Sequence, residues 1–324
     1  MFTEILVPLD GSAVAEGAIP LAIALARRHG SRLHLVGVSR PVIFTNPGAF
    51  SAEIPLAASV ELDLIAAEQL EHYLADWASR ITATEHLAVR SAVLKGVEPA
   101  GDQLVEYVSK HDIELVVMHT HARGAVRRLW LGSVANALAQ KSGVPCLLLR
   151  GPMTGVNEAV VPVRPHRIMV PLDGSVEAEL AVELAIACAD PEVTEIDLFT
   201  VVSPLPFPGA VLEGPALETR TAAAQRYLRR IASRVTECDL VAHTNVVVHA
   251  SPPAAIVEQV QQRGADLVAI AAHYRSEMNR VFLGSVMDRL LRKTRVPMLV
   301  WRSKELAGTE LLPLQAESVE LALH

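Results

Sequence analysis

Ile5-Leu-Val-Pro-Leu-Asp-Gly-Ser12 returns as Ile168-Met-Val-Pro-Leu-Asp-Gly-Ser175, with Leu6 exchanged for Met169. An apolar run closed by Pro and then Asp-Gly-Ser reads as a short buried strand, a turn and a helix start. Two more blocks repeat in the same order. Leu131-Gly-Ser-Val134 returns as Leu283-Gly-Ser-Val286, and Val144-Pro-Cys-Leu-Leu-Leu-Arg150 as Val296-Pro-Met-Leu-Val-Trp-Arg302. Three matched blocks indicate duplication of one unit. They imply two domains, 1–150 and 166–303, with the boundary in the Gly- and Pro-containing stretch 151–165.

Between the matched blocks each repeat alternates strands and helices. In the first, strands are expected at Glu4–Leu9, Arg32–Ser39, Leu87–Leu94, Leu115–His119 and Cys146–Leu149. Helices are expected at Ala13–His29 (with Pro20 an internal irregularity), Val60–Ile81, Pro99–Lys110 and Ser133–Lys141. In Val60–Ile81, Leu62, Ile65, Gln69, Tyr73 and Trp77 recur at helical spacing as a mostly apolar stripe. The second repeat predicts strands near 167–172, 195–202, 240–248, 267–272 and 298–301. Its helices fall near 176–189, 213–234, 253–263 and 285–293. Such alternation implies right-handed crossovers, and so an α/β fold: an open parallel five-stranded sheet with helices on both faces, duplicated in tandem.

The repeats are unequal. Asp10 precedes Gly132 by 122 residues, and Asp173 precedes Gly284 by 111. The surplus is placed in Pro41–Ser59, rich in Pro, Asn, Gly and Ser. Residues 303–324 lie beyond the second repeat, and their many leucines suit packing on a domain or a partner.

Composition narrows the function classes. Of the 324 residues, 51% are hydrophobic but only 4% aromatic, which suits aliphatic sheets covered by helices. The net charge of -7 argues against a general nucleic-acid binder. The apolar stretch Gly17–Ala26 is too short to span a membrane, and the start MFTEILVPLD has no leader character. A cytoplasmic protein is expected. Cys146, Cys188 and Cys238 show no metal or disulfide spacing and read as thiols in a reducing compartment.

Open parallel sheets bind ligands at the carboxyl ends of their strands. Asp10 and Asp173 stand there. Each is either a ligand for a ribose or base, or a turn-forming or capping Asp. Gly132-Ser133 and Gly284-Ser285 open helices, either as ordinary caps or as phosphate-receiving amide clusters. Arg123, Arg127 and Arg128 just upstream can gather an anion or form a solvated face. No GxxxxGK[ST] or GxGxxG pattern occurs, nor does a nucleophile in GxSxG. Met118-His-Thr-His121 has no third ligand at convincing metal spacing. A non-enzyme is expected.

The octet at 5–12, the Arg-Arg-Leu-Trp-Leu-Gly-Ser stretch ending at Ser133 and the close at Val144–Arg150 resemble the universal stress protein family. The second set of blocks extends the resemblance over residues 1–302. It implies an adenine nucleotide alpha hydrolase-like domain with strand order 3-2-1-4-5, and pairing of domains through the last strand. The two repeats would then pair within the chain and the whole form a homodimer. It also implies ATP, or ADP or AMP, with Mg as a companion ion, bound as a regulatory ligand in stress response. The alternative is a nucleotide-free structural or signalling module acting through protein–protein interaction.

In ATP-binding members the loop after the fourth strand reads Gly, two residues, Gly, nine residues, Gly-Ser or Gly-Thr. The matching positions here are His119, Ala122 and Gly132-Ser133, and then Ala271, Tyr274 and Gly284-Ser285. The nine-residue spacing is kept and the first two glycines are absent from both repeats. Tyr274 is the bulkiest departure. Val38 and Val201 match the family's adenine-contacting position, or are plain core valines. The resemblance thus assigns nucleotide binding to Asp10, Val38, His119, Ala122, Arg123, Gly132 and Ser133, and to Asp173, Val201, Gly284 and Ser285.

Overall fold

The computed structural model describes residues 2–41, 56–120, 131–150, 164–204, 213–271, 287, 289–290, 293–294 and 296–302. Contacts group the chain into two compact units, 1–164 with 295–300, and 165–294 with 301–324.

The first unit alternates strands and helices: β1 (Glu4–Pro8), α1 (Ala13–Glu16), α2 (Ile19–His29), β2 (Arg32–Ser39), α3 (Leu56–Glu85), β3 (Val89–Lys95), α4 (Ala100–Lys110), β4 (Leu115–Thr120), α5 (Ser133–Lys141) and β5 (Cys146–Arg150). The strand order is β3-β2-β1-β4-β5, and all these neighbours are parallel. Residues 298–300 run antiparallel beside β5, with Met298 opposite Leu148 and Val300 opposite Cys146. Ile5–Val7, Leu115–Val117 and Leu147–Leu149 are buried from end to end. Unbroken apolar strands of this kind need cover on both faces. The two faces of β2 show that cover: Gly37 lies under Leu70 of α3, and His34 meets Tyr107 of α4.

The second unit repeats the pattern with β6 (Arg167–Pro171), α6 (Val176–Cys188), β7 (Glu195–Val202), α7 (Pro215–Thr236), β8 (Val241–Val248), α8 (Pro252–Gln262) and β9 (Leu267–Ala271). Its parallel order is β8-β7-β6-β9, the same 3-2-1-4 as the first. The repeat closes in sequence with β10 (Met298–Trp301).

Three expectations need correction. The helix expected over Ala13–His29 is two helices, and it breaks at Gly17–Ala18 rather than at Pro20. Pro20 sits in the first turn of α2, where a missing amide hydrogen has no intrahelical partner to lose. The stripe expected on α3 is out of phase: Leu62 and Ile65 are 56% and 43% exposed. The buried row is Ala67, Leu74 and Ile81, with Leu70 against Gly37. Tyr73 and Trp77 carry polar atoms that require partners. They sit half-buried at the rim and donate to Glu16 instead of facing the sheet. Finally, α3 begins at Leu56, inside the span assigned to the insertion. Residues 42–55, the tail 303–324 and Tyr274 lie outside the described residues.

Candidate functional site

Asp10-Gly11-Ser12 carries the chain from β1 into α1. Gly11 takes a φ of 77°, a conformation that side chains with a Cβ disfavour. The turn lets Asp10 Oδ1 accept from the Ser12 amide at 3.1 Å and from its hydroxyl at 2.5 Å. Ser12 Oγ in turn accepts from the Ala15 amide at 3.2 Å and caps the helix. The second unit copies the device: Gly174 has a φ of 87°, Asp173 accepts from Ser175, and Ser175 caps α6 through Ala178. The capping residue is therefore the Ser, while the Asp shapes the turn and stays exposed at the strand end.

At α5 the roles differ. Gly132 is the N-cap and has no side chain to offer, so Ser133 is already the first helical residue. The first intrahelical bond runs from the Asn136 amide to the Gly132 carbonyl at 2.9 Å. The amides of Ser133, Val134 and Ala135 precede that ladder, and such groups turn to water or to an acceptor outside the helix.

These two ends meet across one crevice of about 420 Å³ in the first unit. Asp10, Val38, His119, Gly132 and Ser133 all line it. Its inner wall is aliphatic: Val36 and Val38 from β2, Ala100 and Leu104 from α4, Met118 from β4 and Leu131. Its polar lining is Asp10, exposed at the strand end, the buried Thr120 and the start of α5. An apolar slot with a few convergent polar groups is the usual form of a small-molecule site, and the volume falls in the usual range of roughly 300–1,000 Å³. The inner wall was not singled out by sequence reasoning, because Val36, Leu104 and Met118 read as ordinary core residues. The one available signal is their position at the carboxyl ends of strands and the first turns of helices.

His119 stands at the end of β4, half-buried, where the family pattern has glycine. Its ring lies against Gly17, where a β-carbon would come within 3.2 Å of Cδ2. The break between α1 and α2 thus provides the space that the imidazole needs. Beside it, Glu16 accepts from Tyr73 Oη at 2.9 Å and Trp77 Nε1 at 3.3 Å. Burial, reinforced by Glu16, pushes the Tyr73 hydroxyl well above its ordinary range and keeps it a neutral donor. In the second unit Glu179, the counterpart of Glu16, accepts from Arg230 and Arg234 of α7 at 3.0 and 2.8 Å.

Asp173 and Val201 occupy in the second unit the positions that Asp10 and Val38 occupy in the first, exposed and half-buried respectively. Ala122 and Arg123, and likewise Gly284 and Ser285, lie outside the described residues. Among the described residues no three His, Cys, Asp or Glu side chains gather as for a metal ion, and no helix is long and apolar enough to cross a membrane.

With this geometry the chain can be set beside known proteins. The sequence profile of the universal stress protein family matches residues 1–150 and 165–302. A universal stress protein of Mycobacterium tuberculosis is 29% identical over 203 residues, a match that takes in 59% of this chain and 63% of that relative's own length. One from Mycolicibacterium smegmatis is 26% identical over 304 residues, covering 93% of this chain and 97% of the relative. Among solved structures, a universal stress protein from Archaeoglobus fulgidus has a TM-score of 0.65 at 16% identity, covering 92% of this chain and 98% of its own. That likeness speaks for the fold.

Proposed function

The chain belongs to the universal stress protein family, and from that premise we propose that its first repeat binds an adenine nucleotide as a regulatory ligand. The observation that carries this reading is the crevice in which Asp10, Val38, His119, Gly132 and Ser133 converge. A purine ring is flat and apolar on its faces and suits the slot between Val38, Leu104 and Met118. A ribose hydroxyl can donate to the exposed carboxylate of Asp10. A phosphate is acceptor-only, and the amides of Ser133 to Ala135 at the start of α5 supply donors and a favourable dipole. Ala122 and Arg123 are assigned to the same phosphate loop by the family pattern, and Arg123 adds charge. In the second repeat the equivalent site is assigned to Asp173, Val201, Gly284 and Ser285, with Tyr274 as the departure that would reshape it. The role is binding and not turnover. ATP, ADP or AMP would stabilise the unit by mass action.

The test is calorimetry on protein stripped of carried-over nucleotide. Micromolar binding of ATP, ADP or AMP is expected, weakened at least tenfold by Asp10→Ala, which removes a polar contact worth roughly 1.5–3 kcal/mol, and by Gly132→Val, which sets a branched side chain where the phosphates would approach the start of α5. No heat with any of the three would overturn the reading.

A second reading has its own observation. Leu62, Leu64 and Ile65 on α3 are 56%, 57% and 43% exposed. An apolar group of this kind favours a protein–protein role without nucleotide. Pairing of the two repeats through their closing strands, and a homodimer, belong to the same proposal. Sedimentation of the chain with and without Leu62→Asp, run beside the calorimetry, separates the readings: a change in oligomeric state in a chain that binds no nucleotide supports this one, and nucleotide binding with no change in oligomeric state supports the first.

A further inference from the structure

A cluster of titratable groups lies on the same face of β2 as the wall of the crevice. His34 is buried in the middle of β2, 1% exposed. Its Nε2 lies 2.6 Å from Glu4 Oε2 and its Nδ1 lies 2.9 Å from Tyr107 Oη. A carboxylate only accepts, so Nε2 carries the hydrogen, and Nδ1 accepts from the tyrosine hydroxyl. His111, at the end of α4, faces Arg90 through Nδ1 at 3.1 Å, and a guanidinium only donates, so this nitrogen too is unprotonated. Tyr107 lies between the two imidazoles, 5.7 Å and 4.1 Å from their centroids. Burial holds His34 below the ordinary imidazole range, although Glu4 opposes the shift.

Every element around His34 contributes a charged or titratable group. β1 brings Glu4, β2 brings Arg32 (3.0 Å from Glu4), β3 brings Arg90, and α4 brings Tyr107 and His111. Glu4 already pairs with the Arg32 guanidinium, and Arg90 adds a second positive charge that acts on His34. Protonating His34 adds one more positive charge with no added anion. It also reverses the bond to Tyr107, since Nδ1 becomes a donor and the hydroxyl must turn its own hydrogen elsewhere.

The cluster and the crevice share one contact. Residues 34, 36 and 38 fall on one face of β2. On α4, residues 107, 104 and 100 fall on one stripe. His34 meets Tyr107, and Val36, Val38, Leu104 and Ala100 continue the same face into the slot. α4 is also locked to α5, because a β-carbon at Gly101 would come within 2.5 Å of Ala137 Cβ. A displacement of α4 therefore reaches the amides at Gly132-Ser133.

The second unit holds the same positions with the charges rearranged. Arg167 and Glu195 replace Glu4 and Arg32 in inverted order, and Asp197 replaces His34. Arg263 replaces His111 and grips Asp197 at 2.8 and 3.2 Å. Two guanidinium groups face two carboxylates, and the remaining imidazole, His243, is 42% exposed. This network stays balanced across the range in which histidine titrates.

We propose that the cluster makes ligand binding in the first repeat acid-sensitive: protonation of His34 loosens α4 from β2 and opens the slot, while the second repeat is built without this response. The inference rests on the nucleotide reading of the crevice.

The test uses the full chain with adenosine, which has no phosphate to titrate, and with ATP, by calorimetry near pH 7.5 and near pH 5.5. First-repeat binding is taken as the heat that Asp10→Ala removes. About threefold weaker binding of adenosine is expected at the lower pH, and His34→Gln, which keeps a donor towards Glu4 and an acceptor towards Tyr107, should abolish the difference. By linkage, adenosine must lower the His34 titration midpoint in the NMR spectrum by about one pH unit. Equal affinity at both pH values overturns the linkage and leaves the nucleotide reading standing. No binding at either pH overturns both. If His34→Gln does not fold, the NMR titration decides, and a midpoint unmoved by saturating adenosine sinks the proposal.

Discussion

The ring of His119 and the bare backbone of Gly17 occupy one space: a β-carbon at Gly17 would lie 3.2 Å from His119 Cδ2 and 3.1 Å from the Val14 carbonyl. In the second repeat the same two positions hold Leu180 and Ala271, on α6 and β9, which pack together. The large and small partners have changed places. α6 is then continuous, while α1 and α2 are separate helices.

This exchange predicts strong coupling. Gly17 has a φ of -58°, so a side chain there meets no backbone strain and only crowding counts. Gly17→Leu should destabilise the first unit by about 1–3 kcal/mol. His119→Ala in the same chain should return a large part of that loss, because the pair then matches the second repeat. Urea denaturation of the two single variants and the double gives the interaction energy, expected above about 0.5 kcal/mol. Strict additivity would show that the two side chains do not share the space.

The turn at Asp10 separates capping from ligand contact. Ser12→Ala removes the acceptor of the Ala15 amide and should cost about 1 kcal/mol in urea denaturation. Ser175→Ala should cost a similar amount through Ala178. Neither substitution touches the amides at Ser133, so the affinity for ATP should fall far less than in Asp10→Ala. Equal losses of affinity in Ser12→Ala and Asp10→Ala would mean that the turn, not the carboxylate, is what the ligand reads.

The legible parts of the molecule were those written in short, local sequence. The octets announced two copies of one α/β unit because a buried parallel strand and a turn glycine are local requirements, whereas the strand order came from the family resemblance and the capping role of Ser12 and Ser175 from the structure. Rim positions such as Asp10 and Gly132 followed from their places at strand and helix ends. What local sequence did not carry was anything assembled from distant elements. His34, Glu4, Arg90 and Tyr107 come from β2, β1, β3 and α4, and nothing in their spacing joins them. The buried phase of α3 was missed for a related reason. Leu70 and Leu74 win the sheet because Gly37 leaves room below, while Glu16 draws Tyr73 and Trp77 to the rim.

The polar clusters also predict how each unit responds to acid. The folded value of His34 is below its ordinary 6.5, so the unfolded chain takes up the proton more readily. Its contribution to stability is fully present above about pH 6.5 and is lost as pH falls through the lower folded value. Glu195 in the second unit is held below its ordinary value by Arg167, so its contribution persists until the pH reaches the carboxylate range. Amide exchange near pH 7.5 and pH 5.5, corrected for the intrinsic rates, should show protection lost in β1, β2 and α4 but kept in β6, β7 and α8. Parallel loss in both units would contradict the charge balance described for them.

The three thiols should separate cleanly by burial. Cys146 lies in β5 between Val116 of β4 and Val300, and its thiol donates to the Val144 carbonyl at 3.6 Å. Burial pushes that thiol up to about 12, although Ser142 opposes the shift. Reaction with a disulfide reagent or alkylating agent needs the thiolate and a path to it, and Cys146 has neither in the folded state. Cys188 is also buried, at the end of α6, while Cys238 is exposed. Native protein near pH 7.5 should therefore release one equivalent from a chromogenic disulfide reagent quickly, and the rest only on unfolding. Cys238→Ser should remove the fast phase. Because Cys146 sits in β5 beside β4, its slow labelling rate reports the opening of the first unit's sheet, and it should rise with Gly17→Leu in proportion to the lost stability. A rapid reaction at Cys146 in the unmodified chain would contradict its placement in the sheet.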